Sequence, residues 1–330
     1  MYNKAHFNFS QPVKVGIDVG NYDCKTRHTS TPSSFIASGN KNLLFDTCVF
    51  YNGVYYTPSK DRNNQQTDKT KDGYCLIIST FAIAKELLTK IRLKEPAITP
   101  EEVQEVISGI NKITLGVGLP AGILSSQAKP LKDCYMNAWG NGVEFIYEEN
   151  GTEFLFNFKV TDCKVFPQDF CPVAYNTELN IPKSYRDYNI IGIGGGTTDI
   201  IPVSEGNPRV EKCVSLEKGT TVLYAECVKK VQQETGKLMD YSSVESVLLG
   251  SPSIIDAKRK KIIIDCAISY TNKLVDEFIH QGLSLSDYPT VFVGGGALLL
   301  RKYLEDNSEF GMMEFVENVC ANAYFFEALA

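Results

Sequence analysis

Short apolar runs that end at glycine turns alternate along this chain with segments of helical spacing. Val13 to Val19 is apolar, stops at Gly20-Asn21, and predicts a strand with Lys25 to His28 as its return. Leu43 to Tyr56 alternates as a hairpin does about Asn52-Gly53. Ser59 to Gly73 is polar and predicts a surface loop. Leu76, Ala84, Leu87 and Leu88 give Cys75 to Leu93 a helical face. Pro100 to Ile110 predicts a second helix, with Thr99 as cap, Pro100 in the first turn and acidic residues following.

Ile113 to Val117 predicts a buried strand running into Gly118-Leu119-Pro120. Glu144 to Val165 suggests a set of short strands broken at Asn150-Gly151. Ile190 to Val203 predicts strand, glycine turn, strand. Thr220 to Lys237 and Ala257 to Gln281 predict helices. Val291 to Val293 predicts a buried strand, followed by Gly294-Gly295-Gly296 and a helix from Ala297. Met313 to Leu329, with Phe315, Val316, Val319 and Phe326, predicts a closing helix. Strands alternating with helices indicate an α/β architecture. The break near Pro182 divides it into a first domain of residues 1–181, completed by a helix at 310–330, and a second domain of residues 182–309.

Composition narrows the function. The 330 residues suit about two domains. A net charge of -6 argues against nonspecific nucleic-acid binding, which needs a basic surface. No apolar run approaches the ~20 residues that span a bilayer, and Met1 to Gln11 lacks a signal-peptide core. The expected location is the cytoplasm, with no membrane partner. The ten cysteines are scattered without a CxxC pair, so reduced thiols used as small core residues are expected.

The turns carry the chemistry. Gly16 to Lys25 aligns with Ile190 to Asp199, about half the chain apart, and both read strand, turn, return strand. That is the pattern of a duplicated domain with one hairpin from each copy. Glycine turns let backbone N–H groups approach a phosphate chain. In the first, Gly20, Asn21 and Tyr22 form the turn, and Asp18 should lie opposite Lys25. Asp18 could hold magnesium through waters, and Lys25 could meet a phosphate oxygen. In the second, Gly194, Gly195, Gly196, Thr197 and Thr198 form the candidate phosphate loop. The third site, Gly294, Gly295 and Gly296, could lie against adenine or ribose; tight strand–helix packing is the alternative.

These three glycine sites in this order resemble the two phosphate motifs and the adenosine motif of actin, sugar kinases and the seventy-kilodalton heat-shock chaperones. Val165-Phe166-Pro167-Gln168 is similar to the segment connecting the two phosphate motifs. The resemblance implies that Gln168 orients the water attacking the γ-phosphate. Thr31-Pro32-Ser33-Ser34-Phe35, Gly116 to Pro120, Glu217 to Thr221 and Ala321-Asn322-Ala323 resemble segments of the ParM-type bacterial actins. That implies an actin-like fold of two duplicated α/β domains around a nucleotide cleft, ATP (or GTP) with Mg2+, and self-assembly into polar filaments. It further implies plasmid segregation through a DNA-binding adaptor on a centromere-like site, with hydrolysis driving disassembly. A small-molecule kinase and a scaffold with weak ATPase are the competing readings.

One departure matters. The family pattern places an acid where this chain has Gly192. If Ile193 pairs with Thr198, then Asp199 lies opposite Gly192 on the same face. Asp18, Asp199 and Gln168 are therefore the expected hydrolytic set, with Asp18 and Asp199 as metal ligands. Lys218, Gly219 and Glu226 are expected beside the ribose or base, and Tyr22 is expected to gate or cover the turn. The Lys258 to Lys261 cluster reads as a solvated helix face or an assembly surface.

Overall fold

A computed structural model describes residues 7, 9–41, 45–59 and 69–330. The start of the expected hairpin at Leu43 and most of the expected loop between Ser59 and Gly73 lie outside the described residues. The chain divides into two units, Met1–Cys171 with Cys320–Ala330, and Pro172–Val319. The sequence placed the division at Pro182 and began the completing segment at residue 310.

The first unit holds strands β1 (Val13–Val19), β2 (Asp23–Lys25), β3 (Ser30–Pro32), β4 (Phe35–Ser38), β5 (Thr47–Tyr51), β6 (Val54–Pro58), β7 (Lys112–Leu119), β8 (Val143–Glu149) and β9 (Thr152–Pro167). Among the described residues they form one sheet in the order β3-β2-β1-β7-β9-β8-β5-β6-β4. Asn52 and Gly53 both take positive φ, the conformation of a two-residue turn that joins β5 to β6. Contrary to the expected short strands, β9 is one sixteen-residue strand. Its first half pairs antiparallel with β8 and its second half parallel with β7. Phe154, Phe156, Phe158 and Val160 alternate inward along it.

Helix α1 (Tyr74–Lys94) supplies the largest apolar face to this sheet, through Ile78, Phe81, Ile83 and Leu88. Helix α2 (Pro100–Gly109) starts on a complete capping box between Thr99 and Glu102. Helix α3 (Leu124–Trp139), with Pro130 inside it, was not among the expected elements. It is anchored by Leu131, Tyr135 and Trp139 at helical spacing.

The second unit contains β10 (Tyr188–Ile193), β11 (Thr198–Ser204), β12 (Asn207–Pro208), β13 (Val214–Leu216), β14 (Thr290–Val293) and β15 (Met313–Phe315). Their order is β12-β11-β10-β14-β15, with β13 also on β11. All six residues of β10 are buried, as expected of a strand covered on both faces. Helices α4 (Thr220–Thr235), α5 (Tyr241–Leu248), α6 (Ala257–His280) and α7 (Gly295–Glu305) complete the unit. The expected closing helix from Met313 is corrected here. Met313–Phe315 is a strand paired parallel with β14, and Phe315 stacks on Phe292. Only Ala321–Leu329 is helical. Pairing with a buried neighbour overrode the helical spacing of the apolar residues.

The last helix lies directly on β1 and β7, against residues that lack side chains. A Cβ on Gly16 would sit 1.9 Å from the Ala323 carbonyl oxygen, and one on Gly116 2.2 Å from that of Phe326. Seven of the ten cysteines are buried. Among the described residues no helix is long and apolar enough to cross a membrane.

Behind the first hairpin lies a buried acid, Glu86 of α1. Burial alone would raise its pKa. The Thr26 hydroxyl donates to it at 2.6 Å, Lys90 lies 3.5 Å away, and His28 donates through its backbone N–H at 3.1 Å. Together these outweigh burial and hold the carboxyl below its ordinary value. A lowered folded-state pKa contributes stability above the unfolded pKa, and that stability is lost as pH falls through the folded value. Urea unfolding from pH 7 to pH 3 should therefore cost the wild type more stability than it costs Glu86→Gln. Parallel pH profiles for the two would contradict this.

Candidate nucleotide site

In the first unit the β1–β2 pairing sets Asp18 against Lys25 and Val19 against Cys24, the register counted from the sequence. The turn is closed by the Gly20 N–H donating to the Asp18 carbonyl at 3.0 Å. Tyr22 is half-buried, and its carbonyl accepts from the Ser33 N–H at 3.1 Å. Gln168 follows directly on β9, and its backbone N–H donates to the Leu119 carbonyl at the end of β7, 2.8 Å away. Parallel pairing of β1, β7 and β9 carries Asp18 and Gln168 to the same strand ends. Gln168 Nε2 donates to Asp18 Oδ1 there.

Two residues of this cluster were not assigned from sequence. Asn322 of the last helix donates from Nδ2 to Asp18 Oδ2 at 3.2 Å and to Asp169 Oδ1 at 3.0 Å. The Asp169 N–H donates back to Asn322 Oδ1 at 2.8 Å. The Ala321-Asn322-Ala323 pattern was visible, but only the fold brings it to Asp18.

The second unit builds its turn differently. Gly192 lies opposite Asp199 and Ile193 opposite Thr198, again the expected register. Asp199 Oδ2 accepts from the Thr197 hydroxyl at 3.2 Å. The carbonyls of Gly194, Gly195 and Gly196 accept from the N–H groups of Thr220, Thr221 and Gly219, at 3.0, 2.9 and 3.1 Å. Each trans peptide points its N–H opposite to its C=O. The N–H groups of Gly195, Gly196 and Thr197 are thereby turned away from α4. Three successive donors aimed outward make an anion-binding concavity. Gly219 permits the approach: a Cβ there would lie 2.4 Å from the Gly195 carbonyl oxygen.

Gly294 has φ 96°, a conformation that favours glycine, and a Cβ there would lie 2.6 Å from the Ile193 carbonyl oxygen. One on Gly296 would lie 2.7 Å from the Ile193 side chain. Packing on the end of β10 therefore accounts for glycine at 294 and 296 without a ligand. Lys218 pairs with Glu277, which lowers the Glu277 pKa. Glu226 lies 3.8 Å from Lys273. Both expected base contacts thus face residues of α6.

No group of three or more His, Cys, Asp or Glu side chains converges among the described residues. Asp18 nevertheless suits a hydrated magnesium ion. Its two amide donors leave carboxylate lone pairs for metal-bound waters, and magnesium gives up its waters reluctantly.

Residues 190–306 match the family described as archaeal actin homologue MreB-like, C-terminal. No curated protein matches the chain in sequence. Among solved structures it is similar to the archaeal actin homologue Ta0583 in complex with ADP, with TM-score 0.70 and 17% identity over 96% of this chain and 98% of that one. A pCBH ParM, a non-polymerisable quadruple mutant, gives TM-score 0.69 and 16% identity over 97% and 99%. Bacillus thuringiensis ParM with ATP gives 0.60 and 14% over 96% of each chain. The chain has the actin-like fold.

Proposed function

We propose that this protein is an actin-like ATPase that assembles into filaments with ATP and leaves them after hydrolysis. The carrying observation is the outward set of N–H donors at Gly195, Gly196 and Thr197, fixed by carbonyls held on the start of α4. Such donors would stabilise charge on the β- and γ-phosphates. Asp18, Lys25 and the Gly20-Asn21-Tyr22 turn of the first unit are likewise assigned to nucleotide phosphate. Neighbours of this fold solved with ADP and with ATP support the ligand class. Gly294 to Gly296, Lys218, Gly219 and Glu226 are assigned to the nucleoside end, with Lys218 exchanging Glu277 for the ligand.

Gln168 is the water-orienting residue. Its Nε2 is spent on Asp18, which leaves Oε1 to accept a hydrogen bond from the attacking water. A neutral amide is a poor base, so the proton passes to phosphate or solvent. Magnesium would be held by Asp18 through waters, and in the second unit Asp199 is assigned the role of the acid missing at Gly192. Bound there, it would neutralise phosphate charge. Asp199→Ala should therefore lower phosphate release about 100-fold while ATP binding survives. Unchanged release would remove Asp199 from the set.

Assembly is the second half of the reading. The neighbour described as a non-polymerisable ParM mutant supports a polymerising relative of this fold. Plasmid segregation through a DNA-binding adaptor is the role proposed from the ParM-type motifs, and the acidic net charge of -6 suits an indirect link to DNA. Light scattering after ATP addition, followed by negative-stain microscopy, tests assembly. Filaments that decay as phosphate is released are expected. A soluble species that consumes ATP only with a sugar acceptor would make it a kinase instead.

A further inference from the structure

Both ends of the Asn322 amide are engaged. Its Nδ2 serves both Asp18 and Asp169, and its Oδ1 receives the Asp169 N–H. Asp169 is 8% exposed and holds φ 61°, in the left-handed region that Asp enters more readily than most residues but at a cost that glycine does not carry. It is the pivot of a tight turn, because the Phe170 N–H donates across it to the Gln168 carbonyl at 2.6 Å. The same turn presents Gln168 to Asp18. Asp18 and Asp169 are like charges that share one NH2 group. Without that group they would repel, and Asp169 would be free to relax to an ordinary backbone conformation.

We propose that Asn322 is a positioning residue for hydrolysis, a latch by which the last helix fixes the Asp169 pivot and so the aim of Gln168 at the attacking water. This deepens the functional reading and rests on its assignment of Asp18 and Gln168. Asn322 acts through Asp18 and Asp169, the acids it holds. Two consequences separate this from a role in folding alone. The latch enforces a left-handed residue, so glycine at 169, which adopts that conformation readily, should replace part of its work. And its loss should affect turnover more than nucleotide affinity.

The test compares the wild type with Asn322→Ala, Asp169→Gly and the double variant, by ATP titration, single-turnover phosphate release and hydrogen exchange over residues 166–171. Asn322→Ala should lower the rate about tenfold or more, leave the ATP Kd within about threefold and speed exchange at the pivot. Adding Asp169→Gly should recover most of the lost rate. A wild-type rate in Asn322→Ala would overturn the latch, as would a parallel loss of rate, ATP affinity and unfolding midpoint without rescue. If the wild type releases no phosphate at all, the functional reading fails, and the latch's part in hydrolysis fails with it.

Discussion

Gln168→Ala should release phosphate about 100-fold more slowly than the wild type, with ATP binding nearly unchanged. The size follows from what the side chain does. It supplies no charge and no proton, so its loss is expected to fall on turnover more than on binding. Its carboxamide holds Asp18 with one end, and in the proposed function the other end would accept from the attacking water. Glu at this position separates the two jobs. Gln168→Glu keeps an acceptor for water but loses the N–H donor to Asp18 and sets two carboxylates together. It should retain more activity at low pH, where one of them is protonated, than at neutral pH. Single-turnover quench measurements across pH read this directly. A Gln168→Ala enzyme with wild-type turnover would move the chemistry elsewhere.

Gly16→Ala is the substitution with the largest expected cost in stability, about 3 kcal/mol or more. The added carbon would sit 1.9 Å from the Ala323 carbonyl oxygen and 2.6 Å from the Glu327 backbone nitrogen. Both are helix backbone atoms, so no rotamer change relieves the overlap and the last helix must lift from β1. That helix also carries Asn322 and Glu327. The variant should therefore lose the Asp18 contact and the Lys90–Glu327 pair together. A urea midpoint equal to that of the wild type would show that the helix does not pack as closely as described.

Much of this was legible because antiparallel hairpins count outward from their turns. Asp18 against Lys25, and Asp199 against Gly192, needed only the turn positions and a period of two. Helix α2 was legible from Thr99, Pro100 and Glu102, a local code. What failed depended on distant partners. Phe315 and Val316 have the spacing of a helix with Val319 and Phe326, yet β14 recruits Met313–Phe315 as a strand. Helix α3 went unread although Leu131, Tyr135 and Trp139 keep a helical register across Pro130. The Asp169–Asn322 contact joins residues 153 apart in sequence, and no local pattern announces it. The Gly294 and Gly296 requirement likewise comes from Ile193, a residue of another strand.

The central claim is that the glycine turn at Gly195 to Thr197 binds nucleotide phosphate. Calorimetric titration with ATP and magnesium tests it most directly, on the wild type and on Gly195→Val, whose branched side chain would screen the turn's N–H donors. The account predicts one saturable site per chain, weakened by the substitution. No saturable binding by the wild type, or undiminished ATP affinity in Gly195→Val, would contradict it.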